Sequence, residues 1–194
     1  MVNTDSPSEE TKIMVTRKTC DFYPTPIEVV NNFLTNFPLE QRGNKVLEPS
    51  AGCGNVCKSV KRYYPNKSIT AVEIRAIEED TLNRCVDHVI IGDFLQSDIS
   101  SKYDIIIGKP PYSKAIDFIK KSVGLLEENG VLIFLLRTAF LESRSRYDFW
   151  QENPLSGLYT LSKRPSFTGK GTDATSYSWF VWDKKTKNQC IKII

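Results

Sequence analysis

The chain lacks what would mark a membrane, metal-binding or secreted protein. Its longest apolar runs, such as residues 131–136, fall far below the roughly 20 residues that a bilayer-spanning helix needs. There is one histidine, and Cys53 and Cys57 have neither a second cysteine pair nor a histidine to complete a zinc site. No metal is therefore expected, and no membrane partner. No signal peptide or lipidation motif is evident. The five cysteines (Cys20, Cys53, Cys57, Cys85, Cys190) are odd in number and scattered. They read as reduced thiols in a cytoplasmic protein. Neither sign of charge dominates: 26 basic against 23 acidic residues leave a net charge of +3, too little to establish a nucleic-acid partner. Nothing repeats internally, and the G-x-G-x-x-G fingerprint of dinucleotide binding is missing.

What is present is ordinary globular material, 194 residues with 40% hydrophobic and 25% charged. That length suits one domain. Residues 1–16 are polar and expected to be loosely ordered, leaving 17–194 as a single domain; a monomer is the expectation, although the sequence does not fix the oligomeric state. Apolar residues at helical spacing (Ile27, Val30, Leu34, Phe37) predict a helix from Pro26 to Pro38. Strands are expected at 45–48, 68–72, 89–91, 103–107 and 131–136, and helices at 55–64, 77–84, 115–126 and 144–151. Asn129-Gly130 reads as a helix stop. Two further strands, 157–164 and 177–183, are joined by a polar loop, and 190–194 adds an edge strand. Largely alternating strand and helix implies an α/β doubly wound, mostly parallel sheet, here closed by an antiparallel C-terminal hairpin.

Four segments stand where such a sheet does chemistry, beyond the carboxyl ends of its strands. The most informative is Asp104-Ile-Ile-Ile-Gly-Lys-Pro-Pro-Tyr112. A β-branched run reads as a buried strand, and Pro110-Pro111 ends it as a rigid shelf carrying Tyr112. Val46-Leu-Glu-Pro-Ser-Ala-Gly-Cys-Gly-Asn55 is a strand, a small-residue loop and a helix start. Its Gly52 and Gly54 allow a ligand close to the backbone, although an ordinary turn between strand and helix would look similar. In Ala71-Val-Glu-Ile74, Glu73 ends a strand nineteen residues after Gly54, where a carboxylate can accept from two ribose hydroxyls. Taken alone it is a solvated strand end. Asp93 and Phe94 follow the third strand in Ile91-Gly-Asp-Phe94. Upstream, Asp21-Phe-Tyr-Pro-Thr-Pro26 is either a proline-rich turn or a segment closing over the site through Tyr23 and Thr25.

Together, and in this order, these segments resemble the S-adenosylmethionine-dependent class I methyltransferases. The closest likeness is to small phage-type adenine-N6 DNA methyltransferases, whose catalytic loop reads Asn/Asp/Ser-Pro-Pro-Tyr/Phe. The resemblance spans roughly residues 20–140. It implies S-adenosylmethionine as cofactor, held by Tyr23, Thr25, the loop Glu48, Pro49, Ser50, Ala51, Gly52 and Gly54, then Glu73, Asp93 and Phe94. By it Glu48 lies near the methionine part, Glu73 binds the ribose, and Asp93 accepts from the adenine amino group with Phe94 packed on the ring. It also implies a catalytic loop of Lys109, Pro110, Pro111 and Tyr112. The Pro110 carbonyl would accept from the target amino group, while Tyr112 and Phe167 would stack on the base.

The departure from the pattern is Lys109. An ammonium has three donors and no acceptor, so it faces an amino group donor to donor. A lysine made neutral by burial could accept one hydrogen bond. Otherwise Lys109 weakens adenine methylation, turns away from the base, or serves another substrate or a phosphate. The basic residues Arg137, Arg144, Arg146, Lys163, Arg164 and Lys170 follow strands on the cleft side and could neutralise phosphates, as a solvated surface would also explain. The expected partner is DNA. RNA adenine and protein glutamine are acceptors of relatives with the same loop, and a disabled cofactor- or DNA-binding protein is the remaining alternative.

Overall fold

The computed structural model describes residues 23–167, 171–186 and 189–194. The expectation for residues 1–16, together with Cys20, Asp21, Phe22 and Lys170, lies outside the described residues.

Eight strands form one sheet in the order β3-β2-β1-β4-β5-β7-β6-β8. The first five are β1 (Lys45–Glu48), β2 (Ser68–Glu73), β3 (His88–Ile91), β4 (Tyr103–Gly108) and β5 (Leu126–Arg137). Each runs parallel to its neighbour. The chain moves outward from β1 to β3, then returns to place β4 on the other side of β1. That reversal opens a crevice between the carboxyl ends of β1 and β4.

Helices cover both faces, which is why the strands read as continuous apolar runs rather than alternating ones. On one face, α1 (Ile27–Asn36), α2 (Asn55–Tyr63) and α3 (Glu79–Asn83) pack on Val46, Ile105, Ile107, Ile133 and Leu135. On the other, α4 (Ala115–Gly124) and α5 (Tyr147–Glu152) pack on Leu47, Ile106, Leu132 and Phe134.

The antiparallel hairpin of β6 (Gly157–Thr160) and β7 (Tyr177–Asp183) is present. The sheet places β7 between β5 and β6, antiparallel to both. The edge strand β8 (Cys190–Ile193) pairs in parallel with β6. A bidentate ion pair, Arg42 to Asp183 at 2.8 and 2.6 Å, ties the segment before β1 to the end of β7.

Several boundaries differ from expectation: the helix expected over 144–151 is a 3-10 turn (Arg144–Arg146) followed by α5, and β5 begins at Leu126 rather than at 131. The helix expected over 115–126 stops at Gly124, because Leu125 and Leu126 are buried and Leu126 pairs with Tyr103. Asn129-Gly130 is therefore not a helix stop. It lies in an irregularity where the β4–β5 register jumps from Tyr103↔Leu126 to Ile105↔Val131. The helix expected over 77–84 is a 3-10 turn (Ala76–Glu78) followed by the five residues of α3. The strand expected over 157–164 ends at Thr160.

Candidate active site

The site grows from the end of β1. Glu48 closes that strand, and the chain then doubles back over β2, with the Ala51 N–H donating to the Val72 carbonyl at 2.9 Å. Two residues of the turn, Gly52 and Gly54, have φ of +56° and +78°, a region that side-chain-bearing residues rarely adopt. Gly54 starts α2. The Gly52 N–H donates to Glu73 Oε2 at 2.7 Å, so the glycine loop is fastened to the carboxylate at the end of β2.

Glu73 is buried, and its other oxygen accepts from the Arg75 N–H and from Arg75 Nε, both at 3.0 Å. Arg75 also pairs with Glu78 at 2.9 Å. A carboxylate has about four acceptor directions, so these contacts leave it about one for a hydroxyl. The two-hydroxyl contact expected from sequence is thus narrowed unless Arg75 moves. Asp93, after β3, takes the Leu95 N–H at 2.9 Å on one oxygen and lies 3.4 Å from Lys114 Nζ with the other.

Glu48 is 2% exposed. Its Oε2 accepts from the Cys57 thiol at 2.8 Å and from the Cys57 N–H at 3.2 Å. Burial is the dominant influence and pushes its carboxyl up to about 8, despite those two hydrogen bonds. The same burial, and the neighbouring carboxyl, push the Cys57 thiol well up. At neutral pH this is a protonated acid beside a protonated thiol. A cation brought against Glu48 would favour the ionised form.

These pieces bound a cleft of about 420 Å³. Among the expected cofactor residues, Tyr23, Thr25, Glu48, Pro49, Ser50, Ala51, Gly52, Glu73, Asp93 and Phe94 line it. Gly54 does not; it acts from behind, by shaping the turn. The amino-terminal segment is anchored by Asn55 Nδ2, which donates to the Thr25 carbonyl at 2.9 Å. Asn55, Arg75, Lys114 and Phe118 also line the cleft and were not singled out in the sequence. Arg75 had a signal, an arginine two residues after a strand-end glutamate. Lys114 meets Asp93 across 21 residues of chain and left none.

The β4 loop opens on the same cleft. Gly108 ends β4 where an added Cβ would sit 3.4 Å from both Glu48 Cγ and Pro49 Cδ. The Ser50 hydroxyl donates to the Lys109 carbonyl at 3.1 Å and joins the two loops. Lys109 and Pro111 line the cleft, while Pro110 is buried and Tyr112 stands to one side. The Tyr112 ring packs on Tyr177 at 6.0 Å between centroids, and Phe167 meets Tyr177 edge-on at 4.9 Å. Lys109 Nζ lies 5.5 Å from the ring centroids of both Tyr112 and Phe167, and the Arg137 guanidinium lies over Tyr112 at 5.2 Å. Burial holds the Tyr112 phenol well above its usual range.

The basic residues divide. Arg137 reaches the aromatic group. Arg144, Lys163 and Arg164 are exposed, and Arg164 contacts only the Ala174 carbonyl, at 3.5 Å, among its described hydrogen bonds. Arg146, expected to be available for phosphate, instead turns inward to the carbonyls of Phe140, Ala139 and Glu142. Among the described residues no cluster could hold a metal ion, and no helix is long and apolar enough to cross a membrane.

No protein-family model matches the chain. A type II methyltransferase, M.CvrRI, of Paramecium bursaria Chlorella virus XZ-6E is 27% identical over 119 residues, 51% of this chain and 31% of that protein. The ribosomal RNA small subunit methyltransferase C of Haemophilus influenzae is 29% identical over 84 residues, 41% of this chain and 26% of that protein. The chain therefore spans about a third or less of the curated relatives it matches. Among solved structures, a protein of Listeria monocytogenes described as a class I S-adenosylmethionine-dependent methyltransferase superposes with a TM-score of 0.66 at 15% identity. That superposition covers 90% of this chain and 66% of the other. Strand order, glycine turn, strand-end carboxylates and these likenesses agree: the chain has the fold of the class I S-adenosylmethionine-dependent methyltransferases.

Proposed function

We propose that the protein transfers a methyl group from S-adenosylmethionine to the exocyclic amino group of a nucleic-acid base, with adenine N6 in DNA as the acceptor. The observation that carries this reading is the meeting of two loops in one cleft. The glycine turn of β1 and the Lys109-Pro-Pro-Tyr112 loop of β4 are joined by the Ser50–Lys109 hydrogen bond.

The residues present fit the cofactor. S-adenosylmethionine is rich in donors and positive charge: an ammonium, a sulfonium, two ribose hydroxyls and an adenine amino group. The cleft offers acceptors to match them in the strand-end carboxyls Glu48, Glu73 and Asp93. When bound, the cofactor supplies an electrophilic methyl group. Glu73 holds ribose with its remaining acceptor direction, and Asp93 takes the adenine edge beside Phe94. Thr25 and Tyr23 close the amino-terminal side. The Pro110 carbonyl accepts a hydrogen from the target nitrogen. That contact strengthens as the nitrogen becomes tetrahedral, so it favours the transition state over the ground state. Tyr112 and Phe167 offer stacking surfaces for a base drawn out of its helix.

Lys109 brings a donor where this chemistry calls for an acceptor, so adenine methylation is expected to be slow. The test is labelled-methyl transfer to DNA, run beside a Lys109→Asn variant. Restoring one oriented acceptor should raise turnover by about two orders of magnitude. Rapid methylation by the unsubstituted protein, with no gain in the variant, would contradict the assigned role of Lys109. A second acceptor class, RNA, is favoured by the likeness to a ribosomal RNA methyltransferase. Running an RNA arm in the same assay separates the two.

A further inference from the structure

Resting on that reading, we propose that Lys109 is a gate: its own ammonium occupies the slot between Tyr112 and Phe167 that an entering base must fill.

The geometry is specific. Lys109 Nζ is equidistant from the two rings, 5.5 Å from each centroid, within the range at which a cation is attracted by an aromatic face. The two rings are brought together by a third, since Tyr112 and Phe167 both pack on Tyr177. Tyr177 is fixed in turn, because it lies in β7 and its hydroxyl donates to Asp173 at 2.9 Å. The Lys109 backbone is fixed as well, by the Ser50 hydroxyl and by the two prolines that follow. A rigid loop therefore launches a four-carbon side chain whose ammonium lies against both aromatic rings.

A nucleobase has the same requirement as the ammonium, a π face to lie against, so the two compete. Tyr112 cannot spare another face without cost, because the Arg137 guanidinium lies over the same ring at 5.2 Å. The base enters when the lysine leaves. Lysine is suited to leaving, since its flexible stem can swing the charge out toward a nucleic-acid phosphate. On this account the residue at the head of the loop does more than fail to accept a hydrogen bond. It makes slot opening conditional on a polyanion being present.

The test is binding, without cofactor, of a single-stranded DNA oligonucleotide carrying one 2-aminopurine. Anisotropy of an end label gives affinity, and quenching of 2-aminopurine reports stacking. Lys109→Ala should empty the slot, bind about tenfold tighter and quench more deeply. Lys109→Arg keeps a cation able to lie on both rings and should remain as closed as the unsubstituted protein. If Lys109→Ala binds no tighter, or if it and Lys109→Arg behave alike, the gate is overturned. If Lys109→Ala instead binds more weakly, with a shallower dependence on salt, the lysine is a phosphate contact and the gate is again overturned. Failure of the functional reading looks different: the unsubstituted protein would then not bind S-adenosylmethionine by calorimetry, whatever the oligonucleotide does.

Discussion

At the scale of single residues, Glu48 carries the clearest physical consequence. Its carboxyl is neutral in the folded protein up to about pH 8, whereas in the unfolded chain it ionises above its ordinary 4.5. The folded state thus holds a proton that the unfolded state has released. The stabilisation is complete below pH 4.5 and is lost as the pH rises to about 8, at roughly 1.4 kcal/mol per unit. Glu48→Gln keeps an acceptor for the Cys57 thiol and removes the ionisation. Thermal melts across this range should show the variant gaining on the unsubstituted protein as the pH rises, with the difference greatest near pH 8. Parallel melting curves would mean that Glu48 is not held neutral. Sequence singled out Glu48 as a strand-end carboxyl near the cofactor. It could not supply the burial, which comes from Cys57 and from the close approach of Gly108.

At the scale of elements, the sequence was most readable where local chemistry dictates the outcome. β1 runs over the expected residues because Lys45-Val-Leu-Glu48 is bounded by turn-formers. α2 begins at Asn55 because Gly54 ends the preceding turn in a left-handed conformation. Gly54→Ala should strain that backbone by about 1–2 kcal/mol. Its Cβ would also meet Cys85 Sγ at 3.0 Å and Leu82 Cδ2 at 3.1 Å. A fall in melting temperature of at least about 2 °C is expected for a chain of this size. An unchanged melt would show that the turn relaxes freely. Reading failed where tertiary burial overrode local signals. Asn129-Gly130 has the chemistry of a helix stop, but burial of Leu125 and Leu126 ends α4 earlier and puts the pair inside β5. Arg146 has the chemistry of a phosphate contact, yet its side chain turns back onto the carbonyls of Phe140 and Ala139 in the preceding 3-10 turn (Thr138–Leu141).

At the scale of the molecule, strand–helix alternation was enough to foresee a doubly wound sheet. The strand order explains why residues far apart in sequence share a cleft. Crossing from β3 back to β4 sets Glu48 beside Gly108, sixty residues on, and the parallel ends of β2 and β3 carry Glu73 and Asp93 to the same edge. Long-range contacts had no sequence signal. The placement of Lys109 between Tyr112 and Phe167 depends on β7 lying beside β5, and the Arg42–Asp183 pair spans 141 positions. On the proposed function, this shared edge is a cofactor site organised by the carboxyl groups of Glu48, Glu73 and Asp93. Its most direct test is calorimetric titration with S-adenosylmethionine of the unsubstituted protein and of Glu73→Ala. Saturable one-to-one binding is expected, weakened at least about tenfold in the variant, the scale of one or two lost hydrogen bonds to a charged group. Absence of saturable binding, or equal affinity in the two proteins, would contradict it.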